Sequence, residues 1–259
     1  MGDSGATVDI GVSLDAESHV GIVEMQRGPN NYFDVNTLSA MADGVDDLAS
    51  RGARCVVICS EGKNFCAGAD FTGDAGKVAT RGLHVYDVAA RLFRSSVPMV
   101  AAVQGSAIGG GLGLAMAADF RVGAPSTRMA ANFALLGFHQ GFALSVTLPR
   151  VAGEQHAADL LFTGRRIDGA TAHAIGLLDH LVDEDDVRPR AVALAAEIAA
   201  SAPLAVASIR ATLRGDLAER AVAAMAHERS EQDRLQRTAD FREGVRAVAE
   251  RRPARFRGE

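Results

Sequence analysis

The chain has 259 residues, 48% of them hydrophobic and 23% charged, with a formal net charge of −5, the balance of a soluble globular protein with a sizeable core. An acidic chain lacks the basic field that phosphate backbones require, so no nucleic acid is expected as a main partner. No signal-peptide core and no bilayer-long apolar run is present, so no membrane partner and a cytoplasmic setting are expected.

In chain order, residues 8–14 and 19–25 alternate as a hairpin closed by Asp15-Ala16-Glu17-Ser18. Asp34 caps a helix to residue 50 whose apolar face carries Leu38, Met41, Val45 and Leu48. Residues 54–59 form a buried strand. Its Cys55 and Cys59 share a face but are too far apart to bridge; with Cys66 they read as reduced core residues, and no His or Cys cluster has metal spacing. A helix follows over 80–95, then a strand over 99–103, a glycine-rich turn, a helix to 118 and a strand over 119–123. Residues 137–141 lead into a short helix ending near Leu148-Pro149. Beyond it, 154–162 is helical, 165–168 extended, 169–175 a helical turn and 178–182 a strand. Helices then fill 189–201, 203–213, 217–237 and 240–251. Alternating strands and helices followed by helices alone predict an α/β core over 1–200 and a helical region over 201–259 of the same structural unit.

Two stretches carry the chemistry. Residues 105–116 read Gly-Ser-Ala-Ile-Gly-Gly-Gly-Leu-Gly-Leu-Ala-Met, directly after the apolar strand. That is strand, tight turn and helix N-terminus, where the first backbone N–H groups lack partners and the helix dipole is positive. Such a place suits an oxygen that carries or acquires negative charge. It is neither a dinucleotide fingerprint, since Met116 stands where the third glycine belongs, nor a phosphate loop, since no Lys-Ser or Lys-Thr follows. Phe65-Cys66-Ala67-Gly68-Ala69-Asp70 forms a second small-residue bend after a β-branched strand. Two such bends can bring two backbone donors to one point.

Together these stretches resemble the two signatures of the crotonase, or enoyl-CoA hydratase/isomerase, superfamily. Thr238-Ala239-Asp240-Phe241-Arg242-Glu243-Gly244-Val245, with Glu250-Arg251-Arg252-Pro253, resembles its C-terminal segment. The resemblance implies a crotonase-type spiral of ββα units with a C-terminal helical trimerisation region. A homotrimer or dimer of trimers is then expected, with Leu217, Val222 and Met225 as interface candidates. It implies an acyl-CoA small-molecule substrate, with coenzyme A as part of the thioester and no separate cofactor or metal. The N–H groups of Ala69 and Gly110 would hold the thioester oxygen as it becomes an enolate. Ala67 would offer its carbonyl to the adenine, Asp70 and Phe71 would line the pantetheine tunnel, and Arg27 and a neighbouring subunit's Arg251 would lie near the CoA phosphates.

The resemblance stops at the hydratase pair. Gly113 and Phe133 stand where the two water-activating glutamates of the family belong, and neither can take or give a proton. Hydration by that pair is not expected. His139, six residues past Phe133, is the candidate proton carrier because imidazole titrates near neutrality; Asp74, Glu61 and Tyr86 are alternatives. The readings left open are isomerase, thioester hydrolase or decarboxylase on the same scaffold, or an inactive acyl-CoA-binding protein.

Overall fold

The computed structural model describes residues 10–69, 79–80 and 82–259. The expected hairpin is present: β1 (Ile10–Asp15) and β2 (Val20–Met25) pair antiparallel with Leu14 opposite Gly21. The helix α1 (Val35–Ser50) starts where Asp34 accepts the Thr37 N–H, a side-chain cap on an otherwise orphaned donor. Next come β3 (Cys55–Ser60), the two-residue strands β4 (Ala79–Thr80) and β5 (Leu83–His84), and α2 (Val85–Arg94). Then follow β6 (Met99–Val103), β7 (Ser106–Ile108), α3 (Gly110–Ala117), β8 (Phe120–Gly123) and β9 (Arg128–Ala130). The second half holds α4 (Leu144–Ala152), α5 (Glu154–Thr163), β10 (Ile167–Asp168), α6 (Gly169–Ala174) and β11 (His180–Leu181). Four helices end the chain: α7 (Val187–Ala199), α8 (Pro203–Arg214), α9 (Leu217–Leu235) and α10 (Ala239–Ala249).

Six strands form one sheet in the order β1-β2-β3-β6-β8-β11, parallel from β2 onward. A second sheet runs β10-β9-β7. All six residues of β3 and all five of β6 are buried, because both sheet faces are covered, as parallel strands require. α7 packs on β3, β6 and β8, closing a core of Cys55, Val57, Cys59, Val100, Ala102 and Val122. The opposite face joins the larger core with α1, α2 and α3, which includes Val56, Ile58, Leu92, Phe93 and Leu112. Burial pushes the thiols of Cys55, Cys59 and Cys66 up to about 12, so all three are inert protonated core groups.

Several expectations are corrected. The helix expected from residue 80 begins at Val85, because His84 caps it: the His84 ring accepts the Tyr86 N–H while Asp87 accepts the His84 N–H. The strands β7 and β9 are three residues each, too short to leave a periodic signal. Leu217 and Met225 are buried within their own chain, where α9 packs on α2 and α4, so they are not surface candidates for an interface; Val222 is half-buried. The apolar surface lies instead on α8, which buries no residue and exposes Leu204 by 86%, Ile209 by 59% and Leu213 by 70%. Arg210 and Arg214 tie that helix to Asp119 at 2.9 and 2.8 Å. Among the described residues no single helix is long and apolar enough to cross a membrane.

Candidate functional site

The two small-residue bends meet. The Cys66 N–H donates to the Ser106 carbonyl at 2.9 Å and the Ile108 N–H to the Cys66 carbonyl at 3.0 Å, so the first bend is laced along β7. Gly68 has φ +96°, and a Cβ there would lie 2.8 Å from the Ile108 carbonyl oxygen and 3.5 Å from the Gly110 nitrogen. Only glycine lets the two backbones come this close. The Phe33 N–H donates to the Gly68 carbonyl at 3.0 Å, and among the described residues the Ala69 N–H has no hydrogen-bond partner. Gly110 opens α3, and Gly109 before it has no side chain to cap the turn. Its N–H is among the first four that no helix can satisfy.

Ala67, Gly68, Ala69, Gly109 and Gly110 line one cavity of about 480 Å³. Its far wall is aromatic and apolar: Phe33, Tyr86, Phe133, Phe138, Phe142 and, from α10, Phe241. The rings interlock edge to face, Phe33 on Phe142 with centroids 5.7 Å apart, Phe133 on Phe138 at 5.4 Å and Phe138 on Phe241 at 5.3 Å. No Asp, Glu or His lines the cavity among the described residues, and Arg166 is the cation on its wall. A chamber of this kind suits a neutral, apolar acyl group.

The position three residues after Gly110 is physically closed. A Cβ on Gly113 would lie 2.3 Å from the Phe142 Cβ. Phe142 and Ala143 both adopt left-handed backbone, φ +60° and +58°, a conformation that costs ordinary residues energy and needs support. Glu228 of α9 supplies it. This fully buried carboxylate accepts the Ala143 N–H at 2.8 Å, the Ser145 N–H at 3.0 Å and the Ser145 hydroxyl at 2.6 Å. It therefore caps α4 from another helix, and burial raises its pKa. Sequence reading missed Phe142 and Glu228. A glutamate inside a polar helix carries no mark of burial, and nothing local announces left-handed backbone at phenylalanine.

The remaining expected residues separate into groups. Ala67, Ala69 and Gly110 converge on the cavity. Asp70, Phe71 and Asp74 lie outside the described residues. Arg27 is absent from the cavity lining; its guanidinium donates to Asp34 at 3.2 Å and to Thr37 at 2.6 Å, at the start of α1. Arg251 is exposed just past α10 and does not reach its own chain's cavity. Glu61 is exposed. His139 is not brought to the cavity. Phe138 and Phe142 on either side of it turn inward, whereas the His139 ring lies against His227 of α9 and its Nδ1 sits 2.8 Å from the Gln140 carbonyl oxygen. Tyr86 does line the cavity. Its hydroxyl donates to Gln232 Oε1 at 2.9 Å, and Gln232 Nε2 donates to the His139 carbonyl at 2.9 Å.

The enoyl-CoA hydratase/isomerase family model matches residues 15–259. A probable enoyl-CoA hydratase of Bacillus subtilis is 31% identical over 258 residues, covering 96% of this chain and 99% of the relative. The human mitochondrial methylglutaconyl-CoA hydratase is 32% identical, covering 94% of this chain and 76% of its own. Among solved structures, an enoyl-CoA hydratase/isomerase from Pseudoalteromonas atlantica superposes with a TM-score of 0.88 at 27% identity, over 96% of this chain and all of that one. With the mixed α/β fold and the paired bends in place, the chain belongs to the enoyl-CoA hydratase/isomerase family.

Proposed function

We propose that the protein binds an acyl-CoA thioester with an apolar acyl group and stabilises its enolate between the backbone N–H groups of Ala69 and Gly110. The observation that carries this reading is that Ala69 and Gly110, whose N–H groups have no hydrogen-bond partner among the described residues, line one aromatic cavity. Such donors are fixed before the reaction begins, and each is typically worth roughly 2.7–4 kcal/mol where charge develops on an oxygen. Ala67 belongs to the same wall and supplies the adenine contact. The same enolate serves isomerisation, hydrolysis or decarboxylation. Hydration by a glutamate pair is disfavoured, because the Gly113 position is filled by Phe142 and the Phe133 side chain has no proton to exchange.

Self-association as a trimer or dimer of trimers is part of this reading. The exposed Leu204, Ile209 and Leu213 support α8 as a contributing face. Ile209→Glu then lowers the mass seen by light scattering, and an unchanged mass removes α8 from the interface.

The functional reading is tested by the carbonyl stretch of isotope-labelled phenylacetyl-CoA. Binding that moves the stretch to lower wavenumber is the expected result. Bound thioester with an unshifted carbonyl contradicts the oxyanion site, and no binding contradicts the thioester reading itself.

A further inference from the structure

With His139 facing away, the cavity still needs a group that carries a proton. Two phenols line it, Tyr32 and Tyr86. Tyr86 is the one built into a network. Its hydroxyl donates to Gln232, whose amide is held by the His139 carbonyl. The loop is shaped around the phenol oxygen: a Cβ on Gly141 would lie 1.7 Å from the Tyr86 hydroxyl. The Phe142 ring sits 6.5 Å from the Tyr86 ring and 5.7 Å from Phe33, whose own ring lies 2.6 Å from where a Gly110 Cβ would be. Tyr86, Phe142, Phe33 and Gly110 thus line one continuous wall of the cavity.

We propose that Tyr86 is the catalytic proton carrier of this site, its hydroxyl delivering a proton to the α-carbon of the enolate held at Ala69 and Gly110. The inference rests on the thioester reading above. The Tyr86 O–H bond breaks and a C–H bond forms at the α-carbon. The enolate C=C pair makes that bond, while the pair on the oxygen re-forms the thioester C=O. The phenolate left behind regains its proton from water. In the reverse direction the phenolate removes an α-proton.

Three titratable groups face Tyr86 or its network: Glu228 from α9, His84 from the turn before α2, and His139, which contributes its carbonyl through Gln232. Burial first, and then Glu228, push the Tyr86 phenol above its ordinary range. His84, pushed down to about 4 by burial, stays neutral above pH 6. The phenol is therefore loaded with its proton at neutrality, as a donor must be, and its phenolate is scarce there.

The test is deuterium exchange at the α-carbon of phenylacetyl-CoA in heavy water from pH 6 to 10, with thioester affinity and thermal unfolding measured on the same samples. Wild-type exchange is expected to climb about tenfold per pH unit without levelling, as phenolate becomes available. Tyr86→Phe is expected to slow exchange by ~100-fold or more while affinity changes little. A fluorinated tyrosine at position 86, more acidic and nearly isosteric, moves the rise to lower pH; this variant keeps the test open if Tyr86→Phe fails to fold. Tyr86→Phe exchanging at the wild-type rate, an unmoved profile with the fluorinated residue, or a wild-type plateau near neutrality overturns the proposal. Thioester that binds but exchanges no proton overturns the enolate reading as well, and no binding overturns the thioester reading.

Discussion

The first turn of α3 holds two regions three residues apart with opposite fates. Gly110 opens the helix and borders the cavity beside Ala69, where the proposed function puts the enolate oxygen. At Gly113, where the family's hydratases carry a carboxylate, the space is occupied by Phe142 from a loop almost thirty residues away. The first region depends on chain path alone, so small-residue identity is enough to keep it. The second depends on a side chain, and in this chain an aromatic ring occupies the place that side chain would take. On the proposed reading an oxyanion site and an acid–base site part company on one helix, and a family resemblance speaks for the first far better than for the second.

The largest expected effect comes from the backbone donor itself. Any side chain at position 110 meets Phe33 at 2.6 Å, so the informative comparison is Gly110→Ala against Gly110→Pro. Both displace Phe33, proline is tolerated at the first helical position, and only proline loses the N–H. Exchange in the proline variant should be a further ~100–1000-fold slower than in the alanine variant. Equal rates would break the comparison by removing Gly110 from the site.

Restoring the carboxylate tests the other region. Gly113→Glu should cost about 1–3 kcal/mol by overpacking against Phe142 and should gain no crotonyl-CoA hydration. Adding Phe142→Gly should recover much of that stability in chemical unfolding, since glycine accepts φ +60° readily. A single Gly113→Glu variant as stable as the wild type would show that Phe142 does not close the position.

Glu228→Gln examines what holds the Phe142 loop. The carboxylate offers separate oxygens to the Ala143 and Ser145 N–H groups, and glutamine turns one acceptor into a donor. A loss of roughly 1–3 kcal/mol is expected. Unchanged stability would mean that the left-handed pair needs no such support.

A further effect is pH-dependent. The folded His84 ring has a pKa near 4 against 6.5 when unfolded. Between those values the unfolded chain holds a proton that the folded chain refuses, so stability falls as pH drops from about 6.5 to 4, by up to roughly 3 kcal/mol. His84→Asn keeps an acceptor for the Tyr86 N–H. Its thermal midpoint should fall less over that range, and an equal fall would acquit His84.

Legibility in the sequence followed the range of the forces involved. The Asp34 cap, the buried β3 and β6 and the glycine bends are written in neighbouring residues, and their places in the fold could be read locally. The start of α2 could not, because a histidine cap does not announce itself. Leu217 and Met225 read as an interface stripe because sequence cannot distinguish an apolar face buried on its own core from one buried on a partner. His139 read as a site residue by its distance along the chain from Phe133. Its direction is set by Phe138 and Phe142 turning inward, and that in turn depends on Glu228, more than eighty residues onward.

The central claim is that this chain keeps the enolate-stabilising half of a hydratase site and has closed the water-adding half. The most direct measurement places one enzyme preparation against two substrates: α-deuterium exchange into phenylacetyl-CoA, and hydration of crotonyl-CoA. Exchange above the buffer rate with no detectable hydration is the predicted result. Hydration as fast as, or faster than, exchange would contradict it.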